Sequence, residues 1–244
     1  MNEPKYDFLI LKDLNLKTSP VGIKFCSRQP DAVDRLNDSM ALCEMLKHSQ
    51  EGNTFFVDKD NHTCHAGLYV LGQADAKRTF ISGEFAAGLK IFDGTRSASR
   101  LYHYIPRLEP GVVRYLAFSP IDGIPYDPDL LVILADTRQT EIILRAAIYR
   151  TGQMWSSKYS AAIGCAWFII YPYKTGMLNY NITGLGHGMR RRKLLPEGRQ
   201  IISIPFDMIP SFLESLETME WELPAYKPDG AEYVKNLMDK LEKE

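Results

Sequence analysis

The chain has 244 residues, 45% hydrophobic and 24% charged, a balance that excludes a disordered chain and provides for a sizeable core. A formal net charge of −1 excludes a global field that would gather nucleic acid or anionic lipid, so neither partner is expected. The most apolar stretch, Tyr159 to Tyr173, falls short of the roughly 20 apolar residues that a bilayer span needs, so it reads as buried core.

Four cysteines occur, Cys26, Cys43, Cys64 and Cys165. A chain of this length folds without disulfide staples, and the N-terminal run MNEPKYDFLILKDLNLK lacks the basic start and cleavage site of a secretory signal. Free thiols in a reducing, cytoplasmic compartment are expected.

In chain order, Leu9 to Leu16 predicts a helix and Val21 to Phe25 a strand, separated by the break Ser19-Pro20. Asp38-Ser39 predicts a cap for a helix carrying Met40, Leu42, Cys43 and Leu46 that ends near Gly52. Thr54 to Val57 reads as a short strand, and Thr63 as the cap of a small-residue helix from Cys64 to Leu71. A helix follows from Ser97 to Tyr104, then a strand from Val112 to Phe118. Asp122 to Asp129 is rich in turn formers and leads into Leu130-Leu-Val-Ile-Leu134, a run suited to a strand buried on both faces. Thr140 to Arg150 carries an apolar helical face, and Ala161 to Ile170 is read as helical. Strands at Leu178 to Ile182 and Gln200 to Pro205 and a short helix at Ile209 to Leu216 complete the order.

This alternation predicts an α/β fold, with α+β as the variant: a single domain over residues 1–224, with a central mixed β-sheet flanked by helices. Residues 225–244 form a tail with an amphipathic helix, on which Val234, Leu237 and Leu241 share one side. That helix could dock on its own domain or on a second subunit, which leaves a homodimer open.

No C-x-x-C pair, H-E-x-x-H, G-x-S-x-G or Walker loop occurs. Among the thiols, Cys64 stands in His62-Thr63-Cys64-His65-Ala66-Gly67, at a helix start and between two imidazoles. Cys165 follows Gly164, which would let a bulky group approach the backbone. Thiolates and imidazoles select zinc, or iron as a cluster; four such ligands would close a structural site and three would leave a position open. Equally, a free cysteine is commonly a small buried hydrophobe, the preferred reading for Cys26 in Lys24-Phe25-Cys26 and, on the residues alone, for Cys43 and Cys165 as well. A second feature is the glycine-rich turn Gly184-Leu185-Gly186-His187-Gly188-Met189-Arg190, continued by Arg191 and Arg192. Its amides and guanidinium groups could cradle an anion, with Gly184, Gly186, Gly188 and Arg190 as the binding set, or it could be a turn before a solvated basic face.

Ser19-Pro20-Val21-Gly22-Ile23-Lys24-Phe25, Cys43-Glu44, Cys64-His65-Ala66-Gly67, Ser82-Gly83-Glu84-Phe85 and Pro125-Tyr126-Asp127-Pro128-Asp129 together resemble domain-of-unknown-function family 169, found mostly in archaea and anaerobic bacteria. The resemblance runs to about Leu216. It implies recurring cysteines at the places of Cys43, Cys64 and Cys165, and a fourth in a glycine-containing turn where this chain has His187. It carries no activity, but it implies a joint metal or iron–sulfur site.

Three readings therefore stand. In the first, Cys43, Cys64, Cys165 and His187 hold zinc or an iron–sulfur cluster in a redox or cofactor-handling protein. In the second, the basic turn and Trp155, Trp167, Tyr171 and Tyr173 bind an anionic tetrapyrrole. In the third, Cys64 is an enzyme nucleophile with His62, His65 or His187 as base.

Overall fold

The computed structural model describes residues 5–182 and 186–243. A 3-10 turn at Leu9–Leu14 leads into β1 (Val21–Cys26), followed by α1 (Leu42–Gln50), β2 (Phe55–Val57) and α2 (His65–Val70). Three short helices come next, α3 (Arg78–Ile81), α4 (Glu84–Gly88) and α5 (Thr95–Tyr102), then β3 (Tyr115–Pro120), β4 (Leu130–Ala135) and α6 (Thr137–Tyr149). A π-helix at Ala166–Ile170 runs straight into α7 (Tyr171–Thr175). The chain continues through β5 (Asn179–Ile182), α8 (His187–Arg191), β6 (Gln200–Pro205), α9 (Ile209–Thr218) and α10 (Gly230–Leu241).

The six strands form one sheet in the order β2-β3-β1-β4-β6-β5, and each ladder between them is antiparallel. The expected α/β arrangement of a central sheet flanked by helices is present, but the sheet expected to be mixed is antiparallel throughout its ladders. The only parallel pairings among the described residues are two isolated bridges, Arg35 with Phe56 and Met40 with His62.

Strand β4 is buried along its whole length, and its side chains divide by alternation. Leu130, Val132 and Leu134 join one core with α1, α2 and the π-helix. Leu131, Ile133 and Ala135 join the other with α6, α9 and the first 3-10 turn. Burial on both faces explains why the run carries no polar residue, and an antiparallel sheet meets that condition as well as a parallel one when helices cover both sides. Strands β1 and β4 pair only from Val21 to Ile23, after which the Asp129 carboxylate accepts the Phe25 amide at 2.7 Å in place of a strand partner.

The segment expected to be helical from Ala161 begins later and is wider than an α-helix. Tyr171 donates its amide to Ala166, the i to i+5 bond of a π-turn. Pro172, next in line, has no amide hydrogen, so it cannot serve the Phe168 carbonyl (α register) or the Trp167 carbonyl (π register). The sheet supplies both donors. Asn179 Nδ2 donates to the Trp167 carbonyl and Ser203 Oγ to the Phe168 carbonyl, each at 2.6 Å.

Helix α1 starts later than its expected cap. Ala41 is the capping residue, and Glu44 reaches back to accept the Ala41 amide at 2.6 Å, so Asp38-Ser39 are not used. Cys64, not Thr63, caps α2. Helix α10 packs mainly on the 3-10 turn Pro224–Tyr226 and leaves Tyr233, Val234, Leu237, Met238 and Leu241 exposed.

Ser203→Ala removes the donor for a buried carbonyl and should lower the unfolding free energy by about 1–3 kcal/mol. Ser211→Ala loses only a half-buried bond to Met208 and should change it by less than about 0.5 kcal/mol. Urea denaturation of the two variants checks the contrast.

Candidate functional site

Three chain segments far apart in sequence deliver thiols to the helical side of one sheet face. Cys43 rides on the first turn of α1. The start of α2 is lashed alongside, because Met40 donates its amide to the Asn61 carbonyl at 2.8 Å and accepts the Thr63 amide at 3.1 Å. Asn61 is itself pinned, its buried amide donating to the carbonyls of Leu36 and Asp38 at 2.9 Å each. Cys64 therefore caps α2 beside Cys43. Cys165 precedes the π-helix, against which α2 packs.

Cys43 and Cys165 each lie within range of the charge of Cys64. Burial pushes the Cys43 thiol up to about 11; the Arg192 guanidinium opposes this, while Cys64 and Glu44 add to it. Burial also holds the Cys165 thiol well above its ordinary range, and Cys64 and then Cys43 raise it further. At neutral pH Cys43 and Cys165 are uncharged thiols; ionising one would place a charge in a dry setting, and ionising both would place like charges together there. Among the described residues no three His, Cys, Asp or Glu side chains group closely enough to hold a single metal ion.

Around the thiols sit groups that the sequence pattern did not single out. Arg192 lies 3.5 Å from Glu44 and donates to the Gly188 carbonyl at 3.2 Å. Met189 is buried in the same core as the π-helix, with Cys43, Cys165 and Tyr159 packed against it. A Cβ on Gly164 would stand 2.9 Å from the Tyr159 hydroxyl and 3.0 Å from the Met189 methyl; on Gly186 the distances would be 2.5 and 2.6 Å. The close approach expected at Gly164 is thus present, with Tyr159 and Met189 as the groups that approach. Ile163, just before it, takes a left-handed backbone (φ 52°), costly for a β-branched residue and frequent near functional sites.

His187 opens α8, and its amide donates to the Ala161 carbonyl at 3.1 Å, which ties that helix to the segment before Cys165. No contact between its ring and a thiol is seen among the described residues. Gly184 lies outside the described residues. Gly186 caps α8 and Gly188 lies within it, while Arg190 points to solvent with a 69% exposed side chain 3.7 Å from Glu197. Arg192, two residues on, is the arginine of this run that turns inward, its side chain only 23% exposed.

The other candidates are dispersed. Cys26 sits on β1 and feels Lys24 and Asp129, not the other thiols. No hydrogen bond joins the Cys64 sulfur to a histidine among the described residues; His65 Nε2 donates to the Asp75 carbonyl at 2.8 Å. Burial depresses His62 to about 4, and neither ring nitrogen has a partner among the described residues. Of the aromatics proposed for a tetrapyrrole, Trp167 and Tyr171 are core residues, Tyr173 stacks on Phe25 at 3.8 Å, and Trp155 meets Tyr180 edge-on.

The resemblance read from the sequence is matched by the comparison with family models. The chain belongs to domain-of-unknown-function family 169, described as an uncharacterised ArCR, whose profile matches residues 10–215. No curated protein and no solved structure matches the chain. No helix among the described residues is long and apolar enough to cross a membrane.

Because folding raises the Cys43 thiol from 9.0 to about 11, the unfolded chain loses that proton first as the pH climbs. The native state then binds more protons, so this thiol's contribution to stability is intact below pH 9 and is lost between about 9 and 11. Urea midpoints measured across that window should fall more steeply for the metal-free wild type than for Cys43→Ala.

Proposed function

We propose that Cys43, Cys64 and Cys165 are the ligands of a soft-metal site, best read as an iron–sulfur cluster, in a protein with a redox or cofactor-handling role. The supporting observation is that three thiols, 122 residues apart from first to last, meet within reach of one another's charge. Neutral thiols bury readily, whereas thiolates buried together need a compensating cation, and thiolate sulfur selects iron clusters, zinc or copper over hard ions.

The lack of a close three-residue group among the described residues counts against a lone zinc ion. A zinc ion draws all its sulfurs to about 2.3 Å of one point, whereas a cluster distributes its thiolates over several irons. Three thiolates leave one position for a ligand from elsewhere, and His187, on the helix tied to the segment before Cys165, is the candidate in this chain. When bound, a cluster would supply one-electron chemistry. The protein's own part is to hold the thiols, exclude water through the core beneath them, and offset negative charge with Arg192. A reducing, cytoplasmic setting suits this reading, since all four cysteines are free.

Anaerobic purification followed by iron, zinc and sulfide analysis and a visible spectrum tests the proposal. Iron with sulfide and a broad band near about 400 nm, lost in Cys64→Ala, is the expected result. Zinc without colour, also lost in that variant, would keep the thiolate site and remove the cluster. A colourless, metal-free protein unable to take up iron and sulfide or zinc would end the proposal.

A further inference from the structure

Helix α10 stands almost bare. Every residue from Ala231 to Lys243 is exposed, and the helix packs mainly on the 3-10 turn Pro224–Tyr226 at its base. That base is fixed, because Gly230 is buried and a methyl group there would run into the Ala225 carbonyl. A 12-residue helix is marginal in water by itself and takes most of its stability from packing an amphipathic face. In α10 that face, Val234, Leu237, Met238 and Leu241 with Tyr233 beside them, is 40–60% exposed. Its stability in solution calls for a cover.

The charges on α10 decide the kind of cover. Lys235, Lys240 and Lys243 balance Glu232, Asp239 and Glu242, so the helix has none of the positive excess that draws an amphipathic helix to anionic lipid. None of these six side chains makes an ion pair among the described residues. Lys235 and Glu242 lie two turns apart, about 10.5 Å along the axis, and share one edge of the apolar face. Set a second α10 antiparallel to the first, with the two-fold axis between Met238 and Asp239. Lys235 of each copy then stands level with Glu242 of the other, since both are equally far from the axis. In the same register Val234 lies against Leu241 of the other copy near each end, and Leu237 and Met238 meet their counterparts at the centre. A single patch thus complements itself, as a closed two-fold contact requires.

We propose that α10 is a homodimerisation element: two copies of the chain pair antiparallel through Val234, Leu237, Met238 and Leu241, with a Lys235–Glu242 ion pair at each end. Burial of the apolar face supplies the attraction, and the flanking charges fix direction and register. No residue of α10 belongs to either core of the domain. Pairing therefore leaves the sheet and its covering helices as they are, and substitutions on α10 act on association alone.

Sedimentation equilibrium of full-length protein over a concentration series tests this. The wild type should approach twice the 27.8 kDa of one chain as concentration rises, whereas Leu237→Asp should stay at one chain. At low concentration the two should melt at the same temperature, which shows that the domain is intact. Lys235→Glu and Glu242→Lys each set like charges level at both ends and should weaken association by about 3–30-fold, the worth of two exposed ion pairs. The double variant exchanges the charges and should restore it. A wild type of one-chain mass at every concentration, or a dimer undiminished by Leu237→Asp, would overturn the proposal. Single charge variants that do not weaken association, or a double variant that does not restore it, would overturn the antiparallel pairing. Vesicles of anionic phospholipid that carry down the wild type but not Leu237→Asp, with no dimer in solution, would assign the face to a membrane surface instead.

Discussion

Pro172 cannot give an amide hydrogen to the turn before it, and the structure around the thiols depends on how that deficit is met. The carbonyls of Trp167 and Phe168 are answered from the sheet, by Asn179 on β5 and Ser203 on β6. Asn179 also accepts from the Lys158 amide at 2.9 Å and donates to the Lys158 carbonyl at 2.9 Å, so one side chain holds the π-helix and the segment leading to Tyr159 together. The sheet edge thereby sets where both Cys165 and Tyr159 stand. A wide helical turn kept in place by buried side-chain bonds is a common mark of a functional position.

The same logic of compensated backbone groups builds the opposite wall. Met40 and the segment from Asn61 to Thr63 exchange amide and carbonyl bonds, which brings the starts of α1 and α2 side by side with Cys43 and Cys64 on them. Neither helix is long, α2 having only six residues, so local propensity is a weak force here and tertiary packing dominates. The thiol site is thus a junction of three helix starts.

Much of this was legible in the sequence, and the rest was not for identifiable reasons. The five-residue apolar run Leu130 to Leu134 announced a strand buried on both faces, and the turn formers before it marked its start. The direction of its neighbours was not readable, because covering helices make parallel and antiparallel strands look alike in composition. Cys43, Cys64 and Cys165 stood out through the resemblance more than through spacing, since dispersed ligands leave no local period. Tyr159 went unmarked because a single tyrosine in an apolar run looks like core; the signal lay in Gly164 and Gly186, whose need for space shows only once the chain is folded. Arg192 was masked by its neighbours: in a run of basic residues, exposure of Arg190 and burial of Arg192 differ by helical phase alone.

The central claim is that the converging thiols bind a soft metal, and X-ray absorption at the metal edge of anaerobically isolated protein addresses it most directly. The account predicts a first shell dominated by sulfur at about 2.3 Å, with metal–metal scattering beyond it if a cluster is present. A first shell of only oxygen or nitrogen, or one unchanged when Cys64 is replaced by alanine, would contradict it.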